Sequence, residues 1–170
     1  MKYNPVQNYI NGKFISTISS KNLDVISPVD GMHLSTVPLS SSKDLDNAVQ
    51  AAKAAFPKWS KMPIKERVQV FYRYKYLLEK NLQPLAELCT EENGKTISES
   101  VAEIEKCIEL AEFACSLPQL ITGEILEVSK GVECRTEHAP LGVVASIVPF
   151  NFPSMVPNWT TLMHLHWAIV

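Results

Sequence analysis

The chain has 170 residues, 46% of them hydrophobic and 20% charged, with a formal net charge of −2 and a pI near 6.1. These values describe an ordinary globular chain of about one domain, and they exclude the basic, aromatic-interleaved surface that grips a nucleic-acid backbone. Met1-Lys2-Tyr3-Asn4-Pro5 has no apolar run behind a basic start, and no stretch approaches the length of a membrane span. No membrane partner and a cytoplasmic location are therefore expected.

The first elements are small β units. Tyr9-Ile10 and Lys13-Phe14-Ile15 flank Asn11-Gly12, whose left-handed dihedrals match the twist of a hairpin. Leu23-Asp24-Val25-Ile26 and His33-Leu34-Ser35-Thr36-Val37 flank a second turn, Pro28-Val29-Asp30-Gly31. From Ser41 the period becomes helical. Ser41-x-x-Asp44 offers a capping box, and Leu45, Val49, Ala52 and Phe56 share a face until Pro57 disrupts it. Pro63 starts the next helix at its first position, with Ile64, Val68, Phe71 and Leu78 as a stripe; Pro84 restarts the helix after a break and Gly94 stops it. Thr96-x-x-Glu99 is a further capping box, and Val101, Ile104, Ile108, Ala111 and Cys115 make the inward face of a helix ending near Pro118. These stripes read as core packing.

Between Glu124 and Glu137 the pattern alternates again, hinged by Lys130-Gly131, with Val132, Cys134 and Thr136 on one side and Glu133, Arg135 and Glu137 on the other. An exposed arm with one apolar and one charged face can pair with another sheet, including one in another subunit. Cys89, Cys107, Cys115 and Cys134 contain no C-x-x-C pair and read as reduced thiols, those on the helix acting as small hydrophobes. His164-x-His166 has no third ligand nearby, so no metal site is assigned.

The most informative stretch follows. Gly142-Val143-Val144-Ala145-Ser146-Ile147-Val148 is short, apolar and β-branched, as a strand buried on both faces of a parallel sheet would be. Pro149 ends it, and Ser154 is a possible N-cap for a helix running through Trp159. Ligands collect at the carboxyl ends of such strands. Asn151, in Pro149-Phe150-Asn151-Phe152-Pro153, would present an amide there to an oxygen gaining negative charge; the alternative is that it satisfies loop backbone.

Tyr9-Ile10-Asn11-Gly12-Lys13, Ser27-Pro28-x-x-Gly31, Ala48-x-x-Ala51-Ala52-Lys53-Ala54-Ala55-Phe56-Pro57-x-Trp59-Ser60, Arg67, Glu92-Asn93-Gly94-Lys95-Thr96, Pro140 through Val144 and Pro149 through Pro153 stand in an order and spacing that together are highly specific. From about Tyr9 to about Thr160 the chain resembles the N-terminal part of an aldehyde dehydrogenase. The resemblance implies an α/β fold comprising a β-hairpin, helices, a β-arm and the first strand of a Rossmann-like parallel sheet. It also implies NAD(P)-dependent oxidation of a small aldehyde through a thiohemiacetal, and a homo-oligomer. Residues 1–170 would form an incomplete NAD(P)-binding domain with a β-arm at about 124–139, the catalytic domain being absent.

By the same resemblance, Asn151 donates to the oxyanion together with a backbone N–H, and Val148 and Phe150 touch the cofactor's ribose side. Phe150, with the runs Glu112 to Leu117 and Phe152 to Pro157, resembles the CoA-acylating methylmalonate-semialdehyde branch, which makes NAD the cofactor and CoA a co-substrate. That branch tends to carry arginine where this chain has Lys106. Lysine keeps the charge needed to hold a substrate carboxylate but not the two-pronged geometry, and Lys106 reads equally as a solvated helix residue.

The nucleophilic cysteine, the general-base glutamate, the Lys-Pro-Ser-Glu strand and the glycine motif near the cofactor phosphates fall beyond residue 170 in the family. Residues 163–170 also depart from the family's N-A-x-A-L-G-N-C helix, yet one choice of codons for them gives Asn-Ala-Phe-Ala-Leu-Gly-Asn-Cys in a neighbouring frame. A frameshift near Leu162 that truncated a full-length enzyme is therefore expected, and the gene sequence read downstream decides it. Two readings stand: an oxidoreductase represented by an incomplete chain, or a non-catalytic remnant or oligomerisation fragment. A buried strand without covering neighbours predicts a poorly soluble or partly folded product. A cooperative thermal transition together with tight NAD binding by calorimetry would contradict that.

Overall fold

The computed structural model describes residues 1–17 and 21–166, the last by its backbone alone. In chain order its elements are β1 (Asn8–Ile10), β2 (Lys13–Ile15), β3 (Asn22–Ile26), β4 (His33–Pro38), α1 (Ser42–Ser60), α2 (Ile64–Lys80), α3 (Leu82–Asn93), α4 (Ile97–Leu120), β5 (Glu124–Ser129), β6 (Val132–Thr136) and α5 (Met155–His166). Among the described residues the strands form three antiparallel hairpins, β1 with β2, β3 with β4 and β5 with β6. The expected departure over 163–170 and the His164–His166 pair fall partly outside the described residues.

Local chemistry accounts for the hairpins and the caps. Asn11 and Gly12 have φ of 52° and 74°, as a two-residue hairpin turn requires, and the rings of Tyr9 and Phe14 meet across the ladder with centroids 4.9 Å apart. Both expected capping boxes form, Ser41 with Asp44 on α1 and Thr96 with Glu99 on α4. Gly94 stops α3 with a left-handed φ of 83°, and a Cβ there would lie 2.9 Å from the Pro28 ring, so glycine also permits the β3–β4 turn to close on the helix end. The Tyr3 hydroxyl and Lys2 Nζ each reach the Glu91 carboxylate at 2.7 Å, fastening the N-terminal segment to α3.

The prolines and stripes are where the structure departs from expectation. Pro57 lies inside α1, which runs on to Ser60, whereas α4 ends at Leu120, near Pro118 as expected. Each proline sits in the closing turn, with only two or three helical residues after it, and on α1 the Trp59 indole N–H donates to the Leu165 carbonyl at 2.8 Å. Pro63 is the N-cap of α2, one position before that expected. The α1 stripe is only half covered: Val49, Ala52 and Phe56 are partly buried and Leu45 is exposed.

The core lies among α2, α4 and α5, with Val68, Phe71 and Leu78 of α2 and Leu162 of α5 packed on Cys107, Ala111, Ala114, Cys115 and Leu117 of α4. The buried face of α4 is turned slightly from the expected stripe. Ser100, Glu103, Cys107 and Ala114 join Ile104, Ala111 and Cys115 inside, while Val101 and Ile108 are only partly covered. Small side chains along this line let the neighbouring helices approach closely.

The expected strand over Gly142–Val148 is corrected. The segment carries no strand assignment, and Ile147 is fully exposed. A strand buried on both faces needs ladder partners and covering helices, and none of the described strands pairs with it. The arm at 124–136 is a two-stranded hairpin, every residue of both strands exposed.

Phe71 is 1% exposed at the centre of the helical core. Phe71→Ala should therefore lower the unfolding free energy by about 3–5 kcal/mol, read by urea denaturation, whereas Leu45→Ala should change it little.

Candidate active site

Glu103, on the buried face of α4, is the polar centre about which the Asn151 loop is built. Its side chain is 1% exposed and that of Lys95 11%. Glu103 Oε1 accepts the backbone N–H groups of Ser154 and Met155 at 2.8 and 3.0 Å. Glu103 Oε2 accepts Lys95 Nζ in an ion pair and the Cys89 thiol at 3.5 Å. A buried carboxylate is tolerated when its lone pairs are filled in this way. Burial pushes the Glu103 acid upward, but Lys95 and the two amides together outweigh it and hold the group below its ordinary range.

The expected serine cap of α5 is thereby replaced. Ser154 Oγ instead faces Cys107 Sγ at 3.4 Å, and Glu103, reaching across from α4, satisfies the amides at the start of the helix. A carboxylate there also complements the helix dipole. One consequence concerns nucleotide binding: these amides are already occupied, so this helix start does not provide a phosphate cradle of the usual kind.

The residues flanking Asn151 are held from the α3–α4 junction. Asn93 Nδ2 donates to the Phe150 carbonyl at 3.0 Å, and Lys95 Nζ donates to the Asn151 carbonyl at 3.0 Å. The same ammonium lies 4.5 Å from the centroid of the Phe152 ring. Asn151 itself is exposed. Its backbone carbonyl is tethered by Lys95.

The other sequence-derived candidates are distributed around this loop. Val148 is partly buried, and the Phe150 ring is 84% exposed beside Asn151. Lys106 follows Glu103 by one helical turn but on the solvent side, where its Nζ pairs with Glu109 at 2.6 Å. A cavity of about 240 Å³ between α2 and α5, lined by Phe71, Tyr74, Asn158 and Leu162 among others, includes none of these candidates. Burial raises the thiols of Cys89, Cys107 and Cys115, which keeps them protonated. Cys107 and Cys115 pack as small side chains, as expected, and Cys89 is buried as well.

Glu103, Lys95 and Asn93 were not singled out for a role by sequence reasoning. A signal existed: Glu103 shares a face with Cys107, Ala111 and Cys115 at four-residue spacing, an unusual place for a carboxylate.

Because the folded-state acidity of Glu103 is enhanced, the stability it contributes is complete above the ordinary carboxylate range and is lost as pH falls through the lower folded value. Glu103→Gln should cost about 3 kcal/mol near neutral pH, and its difference from wild type should shrink progressively as denaturation curves are taken to acid pH.

Comparison with known proteins supplies the family. Residues 14–167 match the model of the aldehyde dehydrogenase family. Malonate-semialdehyde dehydrogenase 2 of Bacillus mycoides is 44% identical over 155 residues, covering 91% of this chain and 32% of the relative. The malonate-semialdehyde dehydrogenase of Bacillus pumilus is 43% identical over the same shares. The crystal structure of methylmalonate-semialdehyde dehydrogenase from Oceanimonas doudoroffii superposes with a TM-score of 0.92 at 35% identity, over 98% of this chain and 34% of that one. A Sinorhizobium meliloti structure assigned to the same activity and complexed with NAD gives a TM-score of 0.93 at 33% identity, over 100% of this chain and 35% of that one. The chain spans about a third of the length of the curated relatives it matches. With its family model matched over nearly its whole length, the chain belongs to the aldehyde dehydrogenase family.

Proposed function

We propose that this chain forms the oxyanion-holding part of an NAD-dependent aldehyde dehydrogenase that oxidises a short carboxylated aldehyde, malonate or methylmalonate semialdehyde, and passes the acyl group to CoA. The observation that carries it is the presentation of Asn151. Its backbone is tethered by Lys95 and flanked by tethers at Phe150, Ser154 and Met155, and the residue is exposed. A backbone held before reaction begins reduces the reorganisation needed to bring its amide to a carbonyl oxygen that gains charge. In this reading the attacking thiolate comes from outside residues 1–170, as the family resemblance implies; Cys89, Cys107 and Cys115 are buried, and Cys134 lies on the exposed β5–β6 hairpin.

NAD, when bound, supplies the acceptor for the substrate hydrogen. The residues present fit one side of it. Val148 and the exposed Phe150 ring would contact the ribose side, the Phe150 carbonyl being engaged by Asn93, whereas the start of α5 is filled by Glu103 and leaves the phosphates to other groups. Lys106 would hold the substrate carboxylate. Its present partner, Glu109, is an exposed neighbour, and such pairs are worth only about 0–1 kcal/mol, so a carboxylate can displace it. The relatives' names, malonate- and methylmalonate-semialdehyde dehydrogenase, support this substrate class. Residues 1–170 are then an incomplete NAD(P)-binding domain, and the unpaired buried thiols accord with a reducing cytoplasm.

A second reading has one observation in its favour. The β5–β6 hairpin is exposed on every residue, with Ile125, Leu126, Val128 and Val132 outward, as an arm that joins subunits would be. On that reading the chain assembles but does not catalyse.

Purified chain, alone and co-expressed with the unmatched remainder of the Bacillus mycoides relative, is assayed for NADH formation from malonate semialdehyde with CoA. Activity is expected in the co-expressed pair, falling roughly 10²–10³-fold with Asn151→Ala. An unchanged rate in that variant overturns the oxyanion role, and association without any turnover favours the assembly reading.

A further inference from the structure

We propose that Asn93, Lys95 and Glu103 are positioning residues, which hold the main chain on both sides of Asn151 and so determine where its amide points; this rests on the oxyanion reading of Asn151. The three side chains come from one short region, the α3–α4 junction and the next two turns of α4, and they converge on backbone atoms of a distant loop. Asn93 takes the Phe150 carbonyl, Lys95 the Asn151 carbonyl, and Glu103 the Ser154 and Met155 amides. Every contact is to main chain or, for Phe152, to a ring face. The Asn151 side chain is left exposed.

This division of labour is difficult to explain by packing alone. A buried ion pair is commonly no better for stability than apolar side chains of the same volume, so the Lys95–Glu103 pair is poorly accounted for as a stabilising device. Its geometry accounts for it differently. Lys95 neutralises Glu103 and, with the same ammonium, binds Asn151, so the two halves of the loop are tied through one nitrogen. Gly94 between Asn93 and Lys95 ends α3 with a left-handed turn, which redirects the chain so that both neighbouring side chains reach the loop. The Glu92-Asn93-Gly94-Lys95-Thr96 run thereby acquires a physical role: it stops a helix, grips the loop and caps the next helix.

The test uses backbone amide exchange and side-chain amide resonances of the 170-residue chain by NMR. Lys95→Met should speed exchange at the Ser154 and Met155 amides by about tenfold or more and shift the Asn151 side-chain amide resonances, while the core amides of Phe71 and Leu78 stay within about twofold. Lys95→Arg should return both signals toward wild type. Should Lys95→Met fail to fold, Asn93→Ala, at a partly buried site, is expected to move the Asn151 resonances without changing the core amides. Unmoved Asn151 resonances, or exchange that rises equally in loop and core, would overturn the proposal. The oxyanion reading fails separately: if the loop loosens in Lys95→Met yet Asn151→Ala leaves turnover unchanged, the positioning role stands and the oxyanion role does not.

Discussion

A carboxylate buried to the extent of Glu103 must find partners or become protonated, and that requirement organises much of this molecule. Its two oxygens draw together Lys95 from the start of α4, Cys89 from α3 and the first amides of α5. Elements far apart in sequence are thereby fixed about one charge. Small side chains on α4, Ser100, Cys107 and Ala111, leave the room for this approach. Without Glu103 the start of α5 would lack its cap, and Lys95 would be left with a buried charge and only carbonyl and ring contacts.

The functional consequences follow from what this arrangement occupies and what it leaves open. It fills the amides at the start of α5, so these offer no cradle to a phosphate. It leaves Asn151 exposed on a tethered loop, and in the segment leading to it Leu141, Ile147 and Phe150 are exposed by 82%, 101% and 84%.

Legibility from sequence followed the range of the interaction. The Asn11-Gly12 turn, both capping boxes, the Gly94 stop and the Val68, Phe71 and Leu78 stripe all depend on neighbours within a few residues, and the structure forms them as expected. Pro57 misled because a proline removes its own N–H bond and crowds the preceding turn without barring the last residues of α1 from helical geometry. The run at 142–148 has strand composition, but a strand is a pairing, and its partners are not among the described strands. The loop bearing Asn151 was legible through its motif, whereas Glu103, 51 residues from Ser154 in sequence, was hidden inside an otherwise ordinary amphipathic helix.

Lys95 and Glu103 act as a coupled pair, and a double-mutant cycle measures that coupling. Unfolding free energies of wild type, Lys95→Met, Glu103→Gln and the double variant give the interaction energy. Coupling above about 1 kcal/mol is expected, with the double variant less destabilised than the two single losses combined. Strict additivity of the two substitutions would show that the pair does not act as a unit.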